Sequence, residues 1–84
     1  MSCYYIIGLR LDNRTHNAAQ LQQALTQHGC NIKVRLGLHE ASEDFCAEDG
    51  LIILRPCGEK DAIEKMVDDF NNLEGVTAKL MDLN

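Results

Sequence analysis

From Asn31 to His39 the chain alternates without a break: Ile32, Val34, Leu36 and Leu38 are aliphatic, and the odd positions are polar, charged or glycine. Successive side chains of a strand point to opposite faces, so this pattern predicts a half-buried strand. Its even positions are expected to face a core, with Lys33, Arg35, Gly37 and His39 on the other side. An earlier strand is predicted over Cys3 to Leu11, where Tyr5, Ile7, Leu9 and Leu11 form one apolar face and Tyr4, Ile6, Gly8 and Arg10 a mixed one. Between the two, Ala18, Leu21, Leu25 and His28 fall at helical spacing. A helix from Arg14 to about His28 follows, with Asp12-Asn13 offering an N-cap and Gly29 a left-handed stop.

After His39 comes a loop with five carboxylates, Glu40, Glu43, Asp44, Glu48 and Asp49. Leu51 to Arg55 is a continuous apolar run stopped by Pro56, too short for a helix and β-branched in its middle, which predicts a central strand. Ile63, Met66, Val67, Phe70 and Leu73 give the stripe of a second helix, opened near Gly58 and closed by Gly75. Val76, Ala78 and Leu80 alternate with Thr77, Lys79 and Met81 in a last strand.

The resulting order, βαββαβ, is that of an α+β ferredoxin-like sandwich. It has a four-stranded antiparallel sheet of order 4-1-3-2 and two helices on one face. The 84 residues suffice for one such domain, 1–84, with a single small core, so a further source of stability is expected. Strand parity then predicts a helix-facing set of Tyr5, Ile7, Leu9, Leu11, Ile32, Val34, Leu36, Leu38, Ile52, Leu54, Val76, Ala78 and Leu80. The opposite face has an apolar centre of Tyr4, Ile6, Leu51 and Ile53 and a cationic rim of Arg10, Lys33, Arg35, Arg55 and Lys79. An apolar centre of this kind calls for a cover, and a second copy of the chain is the simplest one. The expectation is a homo-oligomer, dimer or tetramer, with Tyr4, Ile6, Arg10, Arg35, Gly37, His39 and Ile53 at the interface or effector site. Gly37 is the position of close approach there.

The formal charge of −5 argues against a nucleic-acid partner, which needs a positive footprint. No apolar run approaches the roughly 20 residues of a membrane span, and no cationic, cleavable leader follows Met1. A cytoplasmic protein with mostly reduced thiols is expected, Cys3, Cys30 and Cys57 being small buried hydrophobes.

Arg35-Leu36-Gly37, the acidic loop, Gly50-Leu51-Ile52-Ile53-Leu54 and the ending Leu73-Glu74-Gly75-Val76-Thr77-Ala78-Lys79 carry a likeness to a known family. Over nearly its whole length the chain resembles the small ACT-like family of iron-only hydrogenase system regulators, related to the C-terminal domains of nickel regulators. The resemblance implies a ferredoxin-like domain that assembles as dimers or tetramers and acts in regulation connected with hydrogenase maturation or expression. It also implies a small-molecule effector at a subunit interface near the first strand-to-helix turn, here Asp12-Asn13-Arg14.

The residues themselves point away from catalysis. No Cys-x-x-Cys or His-x-x-x-His spacing is present, so no cofactor is implied. His39 and Cys46 bracket the acidic loop and are the candidate metal ligands, which makes a metal- or thiol-based sensor the alternative function. Cys46 sits among carboxylates that disfavour its thiolate, and nothing places a base beside it. A dimeric α+β barrel enzyme, with two sheets enclosing a pocket, is the weaker alternative.

Overall fold

The computed structural model describes residues 3–12, 18–38 and 50–84. Its elements are β1 (Tyr5–Leu11), α1 (Ala18–Gln27), a 3-10 turn (Gly29–Asn31), β2 (Ile32–Leu38), β3 (Gly50–Pro56), α2 (Lys60–Asn71) and β4 (Val76–Asp82). The strands form one antiparallel sheet of order β2-β3-β1-β4, the 4-1-3-2 order read from the other edge. The hydrophobic centre of the chain thus lies in β1 and β3, as the greasiest strands require.

One side of the sheet and both helices share the core. Tyr5, Ile7 and Leu9 of β1, Leu54 of β3, and Val76 and Ala78 of β4 meet Leu21 and Leu25 of α1 and Ile63, Met66 and Phe70 of α2. The i, i+3, i+7 stripe of α2 delivers its three fully buried side chains to this layer. Asn71, at the end of α2, then bridges to the edge strand β4. Its side chain donates to the Ala78 carbonyl (3.0 Å) and accepts from the Ala78 N–H (2.7 Å). Two backbone groups of an otherwise open edge are satisfied in this way.

Two glycines behave differently from the sequence expectation. Gly29 does not take a left-handed conformation; the chain continues from α1 into the right-handed 3-10 turn, held by the Asn31 N–H to the His28 carbonyl. Gly75 does take one, with φ of 79°, but α2 has already ended at Asn71. It serves instead the turn in which the Val76 N–H reaches the Leu73 carbonyl.

The largest departure is in β2. Ile32 pairs with Pro56, but Val34 pairs with Arg55, so β2 carries one extra residue at Lys33, a β-bulge. Side chains alternate with a period of two, so one inserted residue exchanges the faces of everything beyond it. Ile32 remains packed against the core. From there on Arg35 pairs with Leu54 and Gly37 with Ile52, both on the helix side, while Val34 and Leu36 pair with Arg55 and Ile53 on the opposite side, and the Leu38 backbone pairs with Leu51 in the same shifted register. Val34 and Leu36 are accordingly about half exposed, at 51% and 52%, and are not core residues. Arg35 reaches α1, where its guanidinium donates to the Gln22 side-chain oxygen (3.0 Å).

Two long-range ties reinforce the small core. The carboxylate of Asp69 on α2 accepts hydrogen bonds from His28 Nε2 (3.0 Å) and from Lys65 Nζ (3.3 Å), and the His28 ring lies edge-on to Phe70. Desolvation pushes the Asp69 carboxyl upward, but the bonds and charges of His28 and Lys65 outweigh it and hold the group below its usual 3.8. Cys3 and Cys57 form a disulfide with their Cα atoms 5.0 Å apart, and both are half-buried. Cys30, on the 3-10 turn, is exposed. The expectation of three reduced, buried thiols is therefore corrected. The pairing of β1 with β3 brings together two cysteines 54 positions apart, and nothing in their spacing announces it.

Cys57→Ser is expected to lower the unfolding free energy by about 2 to 5 kcal/mol, because a long loop of the unfolded chain is no longer closed. Urea unfolding under non-reducing conditions measures it, and equal midpoints would refute it. A carboxyl depressed in the folded state contributes stability above its unfolded value, about 3.9, that is lost as pH falls through the lower folded value. Asp69→Asn should therefore flatten the fall in stability between about pH 5 and pH 3, as read from urea midpoints at both ends; an unchanged slope would count against it.

Candidate assembly surface

The sheet face turned away from the helices is built by strand parity and the Lys33 bulge together. From β1 come Ile6, Gly8 and Arg10, preceded by Tyr4. From β4 come Met81, Lys79 and Thr77, opposite Ile6, Gly8 and Arg10 respectively. From β3 come Leu51, Ile53 and Arg55, with Ile53 opposite Gly8 and Leu51 opposite Arg10. The bulge adds Val34 and Leu36 of β2. Tyr4, Val34, Leu36, Leu51 and Met81 are 46 to 59% exposed, and Ile6 and Ile53 half-buried, on a surface that crosses all four strands. Isolated apolar side chains on a surface are ordinary, but a contiguous patch marks a contact site.

Gly8 lies at the middle of this face, between Ile53 and Lys79. A Cβ built on it would meet nothing within 4 Å, so its position is a shallow recess in the patch. Gly37, singled out from the sequence for close approach, sits on the helix side, where a Cβ would also meet nothing within 4 Å. A glycine in a strand with open space above it admits a foreign side chain or backbone. On the open face that glycine is Gly8, whose signal in the sequence was its place between Ile6 and Arg10 on the mixed face of β1.

Of the residues expected at the interface, Tyr4, Ile6, Arg10 and Ile53 share the open face; Arg35 and Gly37 lie behind the sheet because of the bulge. His39, Cys46 and the acidic loop lie outside the described residues. The cationic rim shrinks correspondingly. Lys33 sits at the bulge, Arg35 is bound to Gln22, and Arg10, Arg55 and Lys79 remain. The Arg55 guanidinium donates through Nε to the Cys3 carbonyl (3.3 Å).

A shallow recess of about 160 Å³ lies at the end of β1, lined by Arg10, Asp12, Gly75, Val76 and Thr77. Another of about 210 Å³ lies behind the sheet, between Leu25, Thr26, Gly29, Ile32 and Arg35. Among the described residues, no three His, Cys, Asp or Glu side chains gather as a metal-holding group. No helix among them is long and apolar enough to cross a membrane.

No family model matches the chain, and no curated protein does. Among solved structures the chain is similar to that of the uncharacterized protein TM1266 from Thermotoga maritima. The TM-score is 0.79 and the identity 20%, and the match covers 95% of each chain. At that identity the likeness establishes the shared fold over nearly the whole of both chains.

Proposed function

We propose that this chain is a non-enzymatic regulatory or interaction module that works as an assembly of its own copies, joined through the open face of the sheet. The observation that carries the reading is the continuous apolar surface of Tyr4, Ile6, Val34, Leu36, Leu51, Ile53 and Met81, with a recess at Gly8. Half-exposed aliphatic side chains still have roughly 1 kcal/mol each to gain on burial. Over two subunits this amounts to about 10 kcal/mol gross, within the range of roughly 4 to 15 kcal/mol that association costs in lost rigid-body freedom. Contacts at the rim and a well-filled centre would decide the affinity.

The resemblance to iron-only hydrogenase system regulators supports a regulatory role for the assembly. In that setting the recess at Arg10, Asp12 and Thr77, beside the first strand-to-helix turn, is the place for a small effector. A cytoplasmic location belongs to the same reading, and it would make the Cys3–Cys57 bond a reversible one.

Sedimentation velocity at micromolar concentration should find a dimer or tetramer; a monomer throughout would sink the proposal. Leu36→Lys should weaken association by about a hundredfold or more, since a two-fold contact buries the new charge twice. Its far-UV circular dichroism should stay native, Leu36 being half exposed, and Gln23→Lys on the exposed side of α1 should leave association unchanged. Gly8→Val separates folding from assembly. It adds a strand-favouring side chain into open space, so the unfolding midpoint should hold or rise while association weakens. Association unaffected by both face variants would remove the open face from the interface.

A further inference from the structure

The disulfide stands at an end of the sheet where backbone pairing runs out. The β1–β3 ladder extends from Leu11↔Gly50 to Ile7↔Leu54 and stops, whereas the β1–β4 ladder continues to Tyr5↔Asp82. Toward the N-terminus of β1, the Cys3–Cys57 bond and the hydrogen bond from Arg55 to the Cys3 carbonyl tie the chain across to β3. Cys57 is anchored apart from its sulfur, because its N–H donates to the Asn31 carbonyl at 2.7 Å. Tyr4 follows Cys3 directly. Its carbonyl accepts the Leu83 N–H (2.8 Å), and its own N–H donates to the Asn84 side chain (3.3 Å). It is 59% exposed at a corner of the open face. The covalent tie thus lies beyond the last pair of the β1–β3 ladder, at the residue before an apolar side chain of the open face.

We propose that Cys3 and Cys57 are a reversible dithiol–disulfide clamp, exchanged by thiol compounds, that fixes the Tyr4 corner of the open face. Both cysteines are half-buried and so not sealed in the core. An external thiolate attacks one sulfur and forms a mixed disulfide, and the other cysteine leaves as thiolate and takes up a proton. A second external thiol displaces the remaining cysteine. In total the protein disulfide gains two electrons and two protons, and two external thiols become one external disulfide. Reduction leaves Cys57 in place and loosens Cys3 and Tyr4 from β3, while Leu83 and Asn84 still hold Tyr4. Because an unfixed side chain must be ordered on contact, the reduced form associates more weakly. That last step rests on the assembly reading above; the clamp itself does not.

The test uses the full chain with Cys30→Ser and Cys46→Ser, so that only the clamp titrates. It is equilibrated in glutathione buffers of graded reduced-to-oxidised ratio and trapped by alkylation. Mass spectrometry should show Cys3 and Cys57 alkylated together across the series. Amide exchange at residues 4–6 should be about tenfold faster in the reduced form, reflecting easier local opening. Association by sedimentation should be about tenfold weaker. A pair that stays dithiol at every ratio, or equal exchange in both forms, overturns the clamp. If exchange differs but both forms associate equally, its control of assembly falls. If exchange differs and neither form associates, the clamp stands and the assembly proposal fails.

Discussion

One unpaired residue in an edge strand governs which side chains this protein shows to its surroundings. With Lys33 bulged out, Val34 and Leu36 join the open face and Arg35 crosses to α1. Without that insertion the same strand would send its aliphatics to the helices and its cations outward. Because side chains alternate with a period of two, the one inserted residue divides the strand, leaving Ile32 against the core and turning the residues beyond it over. Pro56, opposite Ile32, is tolerated in β3 because the Cys57 N–H, and not its own nitrogen, reaches the Asn31 carbonyl, and because the β1–β3 ladder has already ended at Ile7↔Leu54.

A core as small as this one is held by ties at its ends as much as by its centre. Asn71 joins the end of α2 to β4, His28 joins the end of α1 to Asp69 of α2, and Cys3–Cys57 joins the start of β1 to the end of β3. Each tie spans two elements at the point where regular hydrogen bonding ends. A domain of this size gains little from enlarging its core, because too few residues are available to surround it. Fixing the ends removes alternatives from the unfolded chain or satisfies polar groups that would otherwise stay open, and neither requires more apolar volume.

The same facts explain what was legible in the sequence. The fold follows from periodicities that survive anywhere in the chain, such as the Ile63, Met66, Phe70 stripe and the apolar runs of β1 and β3, and these led directly to the sheet order. The face of β2 was not legible from its alternation, because that pattern says which residues lie together and not which side of the sheet they take. Pro56, which reads as a strand stop, is itself a paired position opposite Ile32, and nothing in the alternation of β2 marks the extra residue at Lys33. The Cys3–Cys57 pair was hidden for a different reason, being a product of strand pairing and not of sequence spacing. Gly37 and Gly8 illustrate the cost: the bulge moves the first behind the sheet and leaves the second at the centre of the open face.

The bulge also changes the electrostatics that the proposed self-association would meet. A face with Arg10, Lys33, Arg35, Arg55 and Lys79 around its apolar centre would set like charges of two copies against one another, and anions from elsewhere would be needed to offset them. Arg35 is instead bound behind the sheet. Lys33 sits at the irregular edge, and Arg55 is turned toward the Cys3 carbonyl. Lys79 on β4 and Arg10 at the end of β1 flank the centre of the face. Exposed charges at such a rim interact through water and salt, where repulsion amounts to about 1 kcal/mol or less per pair. In the proposed assembly the aliphatic side chains of β2 and β3 would therefore meet their counterparts without a matching set of anions, and the contact would not depend on the acidic loop.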